Sequence, residues 1–289
     1  MTLIEMVAAI VIVGIIGAVV AFFLTPIQQS TDLALRAELT DIADNALQRI
    51  GREVRLALPN SVRITSAGSS VFLEFIAVRT AGRYRAGGGG ASAGSDCPND
   101  DAGAGVPGND QLSFDVADTC FKTIGKLPGT IATGSDRLVL NNYGTTDQNA
   151  YQTSAVLNNT AITSVDTSEA GRDRIGFGAT TFVRSLHDSP GKRFFVVSGP
   201  VTYECDMASG RILRHSGYAL ADVQPTSFAG TPAPIADFVQ SGTGCVFDYS
   251  TVGPGLGLLT MRVTLQRQLF GGATETISLY NVVHVNNTP

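Results

Sequence analysis

Few residues in this chain are of a type and spacing that does chemistry. His187, His215 and His284 stand far apart, with no H-E-x-x-H pair and no second histidine one helical turn away, so they define no zinc site. His187-Asp188-Ser189 brings together the residue types of a hydrolase triad, but adjacent positions in a turn before Pro190 cannot form the hydrogen-bond chain that a triad needs. Gly103-Ala104-Gly105-Val106-Pro107-Gly108 satisfies the letters of a dinucleotide-binding turn. No predicted strand precedes it and no helix follows, so no helix N-terminus is there to hold a pyrophosphate. Asp96, Asp100, Asp101 and Asp110 are hard oxygen ligands of the kind calcium takes, although a solvated acidic loop is the simpler expectation. We therefore expect no enzyme activity, no catalytic residue, no cofactor and no metal.

The four cysteines, Cys97, Cys120, Cys205 and Cys245, lack the C-x-x-C spacing of zinc and redox sites. Their even number fits two disulfides made in an oxidising compartment. The expected pairs are Cys205 with Cys245 and Cys97 with Cys120; a crossed pair such as Cys97 with Cys245 is the alternative. Arg79, Arg83 and Arg85 around Tyr84 form the strongest local basic patch. With a net charge of -5, a pI near 5.2 and one aromatic in the patch, nucleic acid is not an expected partner.

One titratable group stands out by its surroundings. Met6 to Leu24 carries no charge and is long enough, as a helix, to span nearly the full hydrocarbon layer of a bilayer, and Glu5 sits at its start. An ionised carboxylate in an apolar layer costs several kcal/mol unless paired or protonated, which makes Glu5 a functional candidate. No Lys or Arg precedes Arg36, so the segment does not read as a secretory signal peptide. Gly14 and Gly17 weaken the helix, and Pro26 removes a backbone donor, so local bending is expected there; close approach of helices in lipid is the other use of such glycines.

Beyond Ile27, apolar residues recur three or four apart at Leu35, Leu39, Ile42, Ala46, Ile50 and Val54, with charges between them, up to a stop at Leu58-Pro59-Asn60. This is an amphipathic helix. After residue 60 the period becomes two, in Val71–Val78, Arg137–Leu140, Phe194–Cys205 and Arg211–Tyr218. The clearest alternation comes last: Leu259, Met261, Val263, Leu265 and Leu269, then Gly271-Gly272, then Ile277, Leu279, Val283 and Val285, a long hairpin with one core face. Residues 86–110 read as a glycine-rich surface loop.

The run MTLIEMVAAIVIVGIIGAVV resembles the class III signal of type IV pilins and type II secretion pseudopilins. That resemblance implies cleavage and N-methylation by a prepilin peptidase, which places the mature terminus at Met1, where the family usually has Phe. It also implies that Glu5 meets the N-terminal amine of a neighbouring subunit and sets axial register. With no basic leader in the sequence, the expected form is the processed one. RAELTDIADNALQRIGREVRLALPNSVRI, GPVTYECDMASGRILRHSGYAL and LYNVVHVNNTP resemble the J-type minor pilins, a group that includes the O-type component of mannose-sensitive haemagglutinin pili.

The implied fold is α+β and pilin-like. A membrane and assembly helix over 1–26 continues as an amphipathic helix over 27–58, packed on a mostly antiparallel β-rich head over 59–289. The implied function is a minor subunit in filament initiation or assembly. It would reside in the inner membrane with its head in the periplasm, then in a periplasmic pseudopilus or extracellular pilus, with other pilin subunits as partners. The competing readings are a major repeating subunit and a pilus-borne adhesin or DNA-binding pilin whose surface ligand the sequence does not name. Tip-most K-type subunits typically lack the glutamate, so Glu5 favours a subunit with another above it.

Overall fold

A computed structural model describes residues 2–85, 111–153, 157–253, 255–269 and 272–289, with the side chains of 21–31 and 252 outside the description. The glycine-rich loop, its G-x-G-x-x-G stretch, its aspartates and Cys97 all lie outside the described residues, as does Met1. The rest is a long N-terminal apolar helix packed against an antiparallel β domain, an α+β fold.

Helix α1 (Leu3–Arg55) is a single element of 53 residues, continuous through Gly14, Gly17 and Pro26. Its buried stripe is Leu39, Ala43, Ala46, Leu47, Ile50 and Val54, with predicted Leu35 and Ile42 only half-buried on its margin. Arg52 and Arg55 occupy the last turn, where cations favour the helix dipole.

The head holds two sheets. In the larger, β1 (Arg63–Ala67) and β2 (Ser70–Arg83) form an antiparallel pair, and β2 lies along the whole of β7 (Arg193–Asp206). The other edge of β7 is divided. Its first part pairs with β4 (Arg137–Leu140), which continues through β5 (Asn159–Asp166) and β6 (Arg174–Thr181) to β3 (Ala117–Lys122). Its second part pairs with β8 (Arg211–Ser216) and through it with β9 (Ala233–Ala236). The division falls at Gly199, whose φ of +112° is closed to most side chains. The smaller sheet is β10 (Cys245–Gly253), β11 (Leu256–Gln268) and β12 (Thr274–Asn286). The predicted terminal hairpin is β11 with β12, in register from Leu256 opposite Asn286 to Gln268 opposite Thr274. A short helix, α2 (Arg184–His187), precedes β7.

These elements enclose a main core between α1, β10–β12, β8 and the adjoining parts of β2 and β7. A second core, built on Phe114, Phe121, Phe177, Phe182 and Phe194, fills the β3–β6 end. A small third cluster, including Leu58, Ile76, Val139 and Tyr151, lies between them.

Candidate assembly site

From Leu3 to Val20 α1 is long and apolar enough to cross a membrane, and none of it is buried by the head. Side chains such as Ile4, Ile10 and Val13 stand in the open, a surface no soluble monomer keeps uncovered. At its start the Glu5 carboxylate accepts the Thr2 backbone N–H at 3.0 Å and lies 3.4 Å from the Thr2 hydroxyl. An acid in the first turn also faces the positive end of the helix dipole. Within the chain Glu5 is thus a helix cap.

The far end of α1 is anchored to the head. Gly51 is a point of close approach: a Cβ there would lie 3.1 Å from Val283 Cγ2 and 3.6 Å from Asn281 Nδ2, so β12 seats close against the helix backbone. Asn281, which interrupts the apolar alternation of β12, donates to the Leu47 carbonyl. Arg36 with Glu275, Glu38 with Arg267 and Glu53 with Arg214 add ion pairs between helix and sheets at 2.8 to 2.9 Å. After the helix, Leu58 N–H bonds to the Ile76 carbonyl. Asn60, with φ of +58°, accepts no helix continuation; its N–H donates to Asn287 Oδ1 and its Nδ2 to the Asn142 and Asn287 carbonyls. These asparagines tie the helix end to the segment after β12.

Cys205 and Cys245 form a disulfide, as expected, with Cα atoms 6.4 Å apart. It joins β7 to β10 and so rivets one sheet to the other. Cys120 is also disulfide-bonded, and its predicted partner Cys97 lies outside the described residues.

The other sequence candidates take structural places. His187 is fully buried: its Nδ1 accepts the Val183 N–H at 3.1 Å, which fixes the proton on Nε2, and Nε2–H donates to the Asp147 carbonyl at 2.8 Å. Burial holds its pKa below the usual histidine value. Asp188 turns away from it, toward Lys192 Nζ at 2.6 Å and the Tyr84 hydroxyl at 2.9 Å. Ser189 donates its N–H to that same hydroxyl, so the three form no relay. Of the basic patch, Arg79 is paired with buried Asp136 at 2.6 Å, and Tyr84 is wholly enclosed, with no ring face for a base to stack on. His215 contacts Glu204 at 2.8 Å and stacks on Phe228. Among the described residues, no group of three or more His, Cys, Asp or Glu is placed to hold a metal ion.

A polar knot that sequence reasoning missed lies under the β2–β7 surface. Buried Glu74 takes Arg63 Nε at 2.5 Å and the Tyr218 hydroxyl at 3.0 Å. Arg63 lies 3.6 Å over the Tyr151 ring and also donates to the Ala221 and Asp222 carbonyls. Burial and the Glu74 charge push the Tyr218 hydroxyl well above the usual tyrosine range, so it stays a donor. No short motif marks this knot, because its members are spread from residue 63 to 222. No protein-family model, curated protein or solved structure matches this chain.

Proposed function

We propose that the chain is a filament subunit of the type IV pilin and pseudopilin kind, a minor one that takes part in initiating or assembling its filament. The single observation that carries this reading is the bare apolar helix of Leu3–Val20, continuous with the helix that forms one wall of the head's core. Such a rod needs lipid before assembly and other helices afterwards, and one element serving both states links membrane residence to filament growth. The J-type motifs support a minor over a repeating subunit. Prepilin peptidase is then the maturation enzyme, Met1 carries the methylated amine, and Gly14, Gly17 and Pro26 are points of helix flexibility on assembly.

Glu5 supplies the register. In a filament the amine of one subunit would displace the Thr2 N–H from the Glu5 carboxylate of its neighbour, exchanging a cap for an ion pair that specifies axial position more than it adds stability. The Glu5→Ala chain should fold and enter the membrane, insertion being easier without the acid, yet fail to enter filaments. Immunolabelling of sheared filaments reads this, and normal incorporation would refute the role. Subunit counting in the same filaments separates the minor from the major reading.

A further inference from the structure

Most arginines of the head are matched with acids: Arg63 with Glu74, Arg79 with Asp136, Arg211 with Asp237, Arg214 with Glu53 and Arg267 with Glu38. Arg137 is not. At the first position of β4 its Nε donates to Asn159 Oδ1 at 2.7 Å, and its two terminal nitrogens have no acceptor among the described residues. Burial alone draws its guanidinium below the usual arginine range, and no carboxylate opposes that effect. A half-buried cation left without a counter-ion is unfavourable to the fold.

Arg137 lines a cleft of about 380 Å³, bounded by the ends of β4 and β5, the Ser198-Gly199-Pro200 turn of β7, and the Tyr218–Leu220 segment. That volume lies at the small end of the range for small-molecule sites, roughly 300 to 1,000 Å³. Gln152 also lines it; its Oε1 accepts the Asp147 N–H at 2.8 Å, which leaves its Nε2 without an acceptor among the described residues. Ser135 and Ser198 also line it; their hydroxyls donate to the Ala132 and Ala77 carbonyls at 3.3 and 3.4 Å, which leaves each oxygen able to accept. Tyr218 contributes its ring, with its hydroxyl held by Glu74. The Asp222 carboxylate is taken up by the Thr153 N–H and hydroxyl at 2.8 and 3.1 Å, and it does not pair with Arg137.

We propose that this cleft binds a carboxylated sugar residue, its carboxylate on the Arg137 fork and the Gln152 amide, its hydroxyls on Ser135 and Ser198, and one ring face against Tyr218. The two free guanidinium nitrogens match the two oxygens of a carboxylate. A phosphate dianion would call for a second cation, and none is found among the described residues that line the cleft. A neutral sugar would leave Arg137 uncompensated. The site belongs to the head and does not rest on the filament reading.

The test is calorimetric titration of the full chain in detergent micelles, at fixed ionic strength, with glucuronate, galacturonate and N-acetylneuraminate, and separately with glucose and inorganic phosphate. At least one acidic sugar should saturate the protein, with glucose and phosphate at least about tenfold weaker. Arg137→Gln should weaken that binding about 10- to 100-fold, the loss expected for one charged hydrogen-bonded pair. Its melting temperature should match or exceed that of the parent, since an uncompensated charge is removed. Arg262→Gln, at an exposed position of β11, should bind as the parent does. Should Arg137→Gln not fold, Arg137→Lys, which keeps the charge and loses the fork, takes its place and should bind more weakly than the parent. Failure of all three acidic sugars to bind, unchanged binding in the Arg137 variant, or phosphate binding as tightly as the sugars would each overturn the proposal.

Discussion

The two large cores of this head solve the same problem with different materials. In the main core, α1 lies across the sheets, and the enclosed side chains are mostly aliphatic: Leu39, Ile50 and Val54 of the helix against Leu259, Met261, Val263, Val283 and Val285. Among the described residues the β3–β6 end has no long helix to cover it, only the four-residue α2. There half of the buried cluster is aromatic, with Phe121 at the centre, 5.1 Å from the Phe194 ring and 6.2 Å from that of Phe177. A helix brings a row of aliphatic knobs at fixed spacing, whereas a sheet end that must close on its own loops needs single side chains large enough to fill the gap. Strand β7 runs through both, with Phe194 and Val196 in the aromatic core and Val201, Tyr203 and Cys205 in the main one. Since β2 pairs along its whole length, the two cores are joined by shared strands.

The sharpest way to break the comparison is to remove the helix. A chain beginning at Gln28 should be a soluble, disulfide-bonded monomer, because the stripe from Leu39 to Val54 stays covered. A chain beginning at Pro59 should aggregate, since Met261, Val263 and Val283 become one exposed apolar patch. Periplasmic expression followed by size-exclusion chromatography separates the two, and equal behaviour would mean that α1 is not part of the head's core.

The disulfide is next in size. Replacing Cys205 and Cys245 by alanine opens a link across a sequence separation of 40, worth about 4 kcal/mol in the chain-entropy model. Urea unfolding should report a loss of that order, and non-reducing peptide mapping should find this bridge together with one between Cys97 and Cys120.

Smaller changes test whether the cores are coupled. Ile50→Val and Ile162→Val each remove one methylene from a fully buried side chain, one in each core, and should cost about 0.5 to 1.5 kcal/mol apiece. Since β2 and β7 are shared, both variants should shift a single unfolding transition, whether it is followed by far-UV or by aromatic near-UV circular dichroism. Two separated transitions would make the cores independent units.

The gentlest lever is pH, acting on the aromatic side. Buried His187, with its ring edge against Phe182 at 5.8 Å, has a folded pKa below its usual value. The unfolded chain therefore takes up the proton first. Stability from this group is fully present above about pH 6.5 and is lost as pH falls through the folded pKa. Asp166, Glu169 and Asp206 are also held below their usual values, but they act in the lower carboxylate range. Melting temperature should thus fall between pH 7 and pH 5, and His187→Gln should flatten that slope.

The same contrast governs what the sequence reveals. The period-two pattern survives in most of β11 and in β12, and the helical period survives over Leu39–Val54, so these elements of the main core can be read directly. On the aromatic side the register slips between Asp118 and Cys120 where β3 meets β6, and between Ile162 and Ser164 where β5 meets β6. Each slip shifts the in-and-out alternation, and a Cβ at Gly176 in β6 would meet the Ser164 hydroxyl. β10 was legible and missed: Cys245 and Phe247 face inward, Val246 and Asp248 outward. Glu5 announces itself as a charge at the head of an apolar run. Arg137 in a four-residue strand gives no such signal, because what sets it apart is the absence of an acid that only the folded chain could bring near.

The tie between Asn60 and Asn287 joins residues that are made far apart in time during synthesis. A chain that emerges N-terminus first presents Leu39 to Val54 long before Leu259 or Val285 has been made. Closing a loop of that length is slow as well as late. Through that interval the stripe has no partner, and the bare segment of Leu3–Val20, parked in a bilayer, would keep each unfinished copy apart from the next. The strand that completes the sheet leads directly into the latch, so a chain cut short before β12 would lack both the cover for its helix and the bond that holds the helix in place.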